Sequence, residues 1–113
     1  MKLKIIEPPR EFKAGSSINM KDCARIELLA DEQVTFLTES GAEYDVARKN
    51  WGYYATPSLN GRLINNGFKA ALTKNTGSGR YFVMLVEYDK QELFFKYLDG
   101  ESMILVEWLD ERR

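Results

Sequence analysis

Two carboxylates, Glu43 and Asp45, stand two residues apart in the run Ala42-Glu-Tyr-Asp-Val-Ala47. On a strand that spacing puts both on one face and Tyr44 on the other. Paired carboxylates are what a glycosidase or a divalent-cation site requires. No third ligand follows at a recognisable interval, and alternating acidic residues are also the ordinary wet face of a half-buried strand. The solvated face is the reading adopted. Cys23 lies between Lys21 and Arg25, which favour a thiolate, and beside Asp22, which opposes it. Without a histidine to activate it, a half-buried structural thiol is expected. Asn75-Thr-Gly-Ser-Gly79 has the glycines of a phosphate loop but neither of its known spacings, and it precedes a strand rather than a helix. A hairpin loop is the reading there.

The chain contains no histidine. That absence removes the Ser–His–Asp and Cys–His mechanisms, the usual neutral-pH general base, and nearly every zinc or non-haem iron site. No metal or cofactor is expected.

The segment Tyr44 to Arg62 differs in kind. It sets four large rings, Tyr44, Trp51, Tyr53 and Tyr54, among Arg48, Lys49, Asn50, Ser58, Asn60 and Arg62. Along a strand Trp51 and Tyr53 would point one way and Tyr54 the other, so the rings cannot all enter one core. Amphipathic rings with polar edges, near Asn and Arg, suit a sugar, a nucleotide base or a peptide. Tyr44, Arg48, Trp51, Tyr53, Tyr54, Ser58, Asn60 and Arg62 are therefore the candidate ligand-binding residues. The competing reading is that Trp51 and Tyr53 cap one end of the core.

The elements that must carry these residues follow from periodicity. Lys2–Glu7 reads as an edge strand stopped by Pro8-Pro9. Ala24–Leu29, Gln33–Thr38 and Ala42–Ala47 read as strands of an antiparallel meander, and Trp51–Thr56 as a fourth. Ser58 suits an N-cap, and Leu59 and Leu63 share a helical face, predicting a short helix over about 59–65. Phe68–Thr73 and Arg80–Tyr88 flank the Asn75–Gly79 loop as a hairpin. Tyr81-Phe-Val-Met-Leu-Val86 is apolar on both faces, as in a central strand. Asp89 and Glu92 have capping-box spacing before the stripe Leu93, Phe94, Tyr97, Leu98, predicting a helix over about 90–99. Ser102–Trp108 is a last strand, joined to the one before by enough chain for a β-α-β crossover. The class is α+β, mostly antiparallel.

At 113 residues the chain fits one domain. Sixteen basic and seventeen acidic residues nearly cancel, so no long-range field gathers nucleic acid or an anionic membrane. Weak charge repulsion leaves a homodimer open. One cysteine makes no internal disulfide, no apolar run is long enough for a signal peptide or a membrane span, and a cytoplasmic protein is expected.

The runs Glu32-Gln-Val-Thr-Phe36, Glu39-Ser-Gly-Ala-Glu-Tyr-Asp-Val46, Trp51-Gly-Tyr-Tyr-Ala-Thr-Pro-Ser-Leu-Asn-Gly-Arg-Leu63 and Gly79-Arg-Tyr-Phe-Val-Met-Leu-Val-Glu87 resemble small uncharacterised bacterial proteins encoded beside genes for surface-polysaccharide and sialic-acid-like sugar biosynthesis. The resemblance spans about the middle half of the chain. It implies a context in sugar metabolism and a sugar or nucleotide-sugar ligand, and it brings no activity and no residue roles. Three functions are carried forward. The first is a non-catalytic binding or accessory protein in cell-surface sugar biosynthesis. The second is a histidine-free enzyme using Asp45, Glu43 or a Tyr with an Arg partner. The third is a homodimeric protein–protein adaptor.

Overall fold

A computed structural model describes residues 1–113. Eight strands are formed: β1 (Lys2–Ala14), β2 (Ile18–Glu27), β3 (Gln33–Leu37), β4 (Glu43–Lys49), β5 (Gly52–Ala55), β6 (Phe68–Asn75), β7 (Tyr81–Glu87) and β8 (Met103–Trp108). Two α-helices join them, α1 (Arg62–Asn65) and α2 (Gln91–Gly100). The class is α+β with mostly antiparallel sheet. The strands form three sheets, ordered β1-β2, β3-β4-β5 and β7-β6-β8. The chain divides into two compact units, residues 1–34 with 46–54, and residues 35–45 with 55–113.

In the first unit β1 and β2 form a long antiparallel hairpin closed by Gly15 at φ 58°, a left-handed turn position that suits glycine. β1 does not stop at its prolines as expected. It runs on to Ala14, and the ladder shifts register between Ile5 and Arg10, so Ile6, Glu7, Pro8 and Pro9 bulge out. A bulge is how a ladder accommodates residues that cannot donate a hydrogen bond. Little of this unit is buried; Leu28 and Ala47 are its enclosed apolar residues.

The second unit holds the denser core. β6 is central, and its first four residues are all buried. Phe68 and Ala70 meet Leu63 from α1 and Ala42, with Tyr44, Leu85 and Leu109 packed around them. On the opposite face α2 sets Phe94 and Phe95 against Trp108, with Leu98 enclosed. The ladders put Ala70 and Lys69 on opposite faces of β6, and Lys69 is buried under Trp108. Its ammonium is anchored 3.0 Å from Asp110, which also accepts the Ala70 N–H at 2.9 Å. Burial pushes the Lys69 ammonium towards neutrality, but the hydrogen bonds to Asp110 and Glu111 outweigh it and hold the charge.

Three expectations are corrected here. β7 is an edge strand, not a central one, and Tyr81, Phe82 and Val83 are exposed along it. Its apolar faces had suggested cover on both sides, which only β6 receives. The short helix begins at Arg62 rather than near residue 59, after Gly61. Ser58 still serves it from outside, accepting the Arg62 N–H at 3.0 Å. Asp89 does not cap α2, because Tyr88–Lys90 make a 3-10 turn first and no side chain caps the helix. β7 and β8 each pair antiparallel with β6. They therefore run in the same direction but are separated by β6, with α2 in the connection.

Candidate functional site

The candidate residues fall in both units, and each group has its own setting. Arg48, Trp51, Tyr53 and Tyr54 belong to the first unit, and Tyr44, Ser58, Asn60 and Arg62 to the second.

In the first unit the corner before β5 turns through Asn50 and Trp51 to Gly52 at φ 148°, a conformation that side chains rarely adopt. That turn carries Trp51 out of the strand alternation. The Trp51 ring therefore stacks on Tyr54, centroids 6.1 Å apart and planes 26° from parallel, and not alongside Tyr53 as alternation predicted. The Arg48 guanidinium sits 5.6 Å over the Tyr53 ring and donates to the Gly52 carbonyl at 3.4 Å. Trp51 is 68 % exposed, Tyr53 53 % and Tyr54 45 %. None of the three rings caps a core: Trp51 and Tyr54 form one exposed stack, and Tyr53 lies with Arg48 on the other face of β5.

The second unit's residues do otherwise. Tyr44 is a core ring, edge-on to Phe68 at 6.3 Å, and burial pushes its hydroxyl pKa up. Arg62 is committed: it donates to Asp45 at 2.6 Å and to the Thr56 hydroxyl at 2.9 Å. Thr35 donates to the other Asp45 oxygen at 2.6 Å. The Thr35 hydroxyl first, and Arg62 second, hold the Asp45 carboxyl below its ordinary value. Asp45 is thus buried and not part of a solvated face, whereas Glu43 is exposed. A carboxylate and an arginine do converge, but each is satisfied by the other. Ser58 is engaged by the backbone of α1, and Asn60 is exposed.

Two other sequence candidates are resolved. Asn75 Oδ1 accepts the N–H groups of Gly77 and Ser78 at 3.0 and 2.9 Å, so the loop's own side chain occupies the groups that an anion would need. Cys23 is exposed, not half-buried, and its thiol reaches the Lys21 carbonyl at 3.5 Å.

One feature escaped the sequence. A cleft of about 390 Å³ in the second unit is lined by Ser40, Ala42, Asn65, Asn66, Glu87, Tyr88 and Asp89 among others, a volume within the range of small-ligand sites. Glu87 accepts from Ser40 and, at 2.9 Å, from Thr38, and pairs with Lys90 at 2.9 Å. These partners, Ser40 first and then Lys90, hold its carboxyl below the ordinary range. The side-chain amide nitrogen of Asn66 is buried with no hydrogen-bond partner. Its lining comes from three places far apart in sequence, so no local spacing announces it. The Asn66-Gly67 pair that reads as a helix stop was its one visible trace.

No protein-family model, curated protein or solved structure matches this chain.

Proposed function

We propose that the chain is a binding or accessory protein of cell-surface sugar metabolism, and that its ligand is a sugar or nucleotide sugar lying on the stacked rings of Trp51 and Tyr54. The exposure of this stacked pair carries the reading. Flat rings with wet polar edges match the apolar faces and equatorial hydroxyls of a sugar ring. Arg48, held over Tyr53, lies on the other face of β5 and is no part of this stack. The ligand class comes from the resemblance to bacterial proteins of polysaccharide biosynthesis. Arg62 is no part of this reading, because its guanidinium is bound to Asp45 and Thr56.

A second reading is favoured by the unpartnered Asn66 amide. It places a small polyol in the Ser40–Glu87–Asp89 cleft, where a carboxylate kept ionised accepts hydroxyl hydrogen bonds. A group held in that state is a poor general acid.

One titration separates the readings: acidic sugars and nucleotide sugars added to the labelled protein, followed by amide NMR shifts. Shifts over residues 48–54, with affinity about tenfold weaker in Trp51→Ala, are expected from loss of a stacked ring worth about 1–1.5 kcal/mol. Shifts confined to residues 40–42, 65–67 and 87–89 would move the site to the cleft. A flat response to every sugar would end both.

A further inference from the structure

We infer that the β1–β2 hairpin is the interface of a homodimer, in which two copies pack the same face against each other about a two-fold axis parallel to the strands. The hairpin's register fixes what that face contains. Leu3 is opposite Ile26, Arg10 opposite Asp22, and Phe12 opposite Met20. Cross-strand partners share a face, and so do alternate residues. One face therefore presents Leu3, Ile5, Phe12, Met20 and Ile26, with the Arg10–Asp22 pair at its middle. The other presents Lys2, Lys4, Lys13, Lys21, Arg25 and Glu27, a wet face.

The apolar face has no cover. Leu3 is 55 % exposed, Ile5 60 %, Phe12 37 %, Met20 43 % and Ile26 39 %. A two-stranded sheet is marginal by itself in water and needs further strands or a packed layer on its apolar face. At roughly 200 Å² for each large side chain, these five leave about 500 Å² of apolar surface uncovered. That is the scale of patch that marks an interaction site. With its polar border it approaches the roughly 800 Å² each partner contributes to a standard interface.

A second copy is the occupant the charges select. Rotation about an axis lying between two such hairpins and along their strands exchanges β1 for β2. Each Arg10 then faces Asp22 of the second copy, and each apolar cross-strand pair faces its own like. Arg10 is arranged for this, with its guanidinium 4.6 Å over the Phe12 ring and 3.4 Å from Asp22 in its own chain. An axis across the strands would instead oppose Arg10 to Arg10. The chain's net charge of −1 adds almost no repulsion between copies.

The test is sedimentation equilibrium on the whole chain, with Arg10→Asp and Asp22→Arg made separately. The first variant carries two acidic groups at the centre of the face and the second two basic ones. Each alone is expected to dissociate at least tenfold more readily than the unaltered chain. An equimolar mixture is expected to recover the dimer, since acidic face then meets basic face. A purely intramolecular effect of either substitution, including partial unfolding, gives no recovery on mixing. Lys4→Glu, on the wet face, is expected to leave association unchanged. A monomer up to about 100 μM, variants that associate as well as the parent, or a mixture that stays dissociated each overturns the proposal.

Discussion

The hairpins β1–β2 and β6–β7 are built alike and buried differently. Both are antiparallel ladders rich in apolar residues, on one face of the first and on both faces of the second. In the second, β8 adds a third strand to β6, α1 and Ala42 close one face, and α2 closes the other. β6 is consequently buried over Phe68–Ala71, whereas no residue of β1 is. Apolar content was equal to the task in both; cover was not. A strand becomes core when other elements reach both of its faces, and sequence alternation records only that a face is ready to be covered.

The contrast can be broken hardest at Leu63, which has no exposed surface and closes the β6 core. Leu63→Ala is expected to lower unfolding free energy by about 3–4 kcal/mol, through lost transfer energy and the cavity left behind. A urea transition moved by less than a third of that would show that α1 is not part of the cooperative core.

A middle-sized effect is expected in the pH dependence of the Asp45 network. The folded Asp45 carboxyl is held below its unfolded value by Thr35 and Arg62. Its contribution is therefore complete above about pH 4 and is lost as pH falls through the lowered folded value. The stability gap between the parent and Asp45→Asn should be widest near neutrality and should close in acid. Parallel curves from pH 7 to pH 2, read as urea midpoints, would contradict the assignment. Glu87 shifts in the same direction, so the Asp45→Asn variant keeps some acid sensitivity of its own.

The smallest effect is expected at Ile5, with its 60 % exposure. Measured at a concentration where the chain is monomeric, Ile5→Ala should change stability by no more than about 0.5 kcal/mol. A loss near that of Leu63→Ala would mean that the two hairpins are equally covered and would remove the contrast.

Much of this fold is legible in the residues. The strands from Gln33 onward lie within a few positions of where β-branched and aromatic runs put them, and α2 follows its Leu93–Leu98 stripe. What was not legible depends on partners far away in sequence. Pro8 and Pro9 argued for a strand end, yet the ladder resumes at Arg10 because Asp22 waits opposite. Tyr81–Val86 argued for a central strand, but which side of β6 a strand takes is not written in its own composition. Asp45 read as a solvent-facing acid because Arg62 lies seventeen residues on, beyond any local pattern. The aromatic corner was visible as a surplus of rings, and Gly52 explains why Trp51 turns to Tyr54. The cleft showed only as the Asn66-Gly67 helix stop, since Ser40, Asn66 and Glu87 meet only after folding.

The interruption at Ile6–Pro9 also governs how the ribbon behaves in a crowd. A long two-stranded ribbon with sticky flanks is the usual seed for runaway stacking into fibres. Along β1 that growth would require an unbroken row of amide donors, and two consecutive prolines delete it near mid-length while lysines guard both sides. The chain keeps a greasy surface yet denies neighbours a continuous rim along β1.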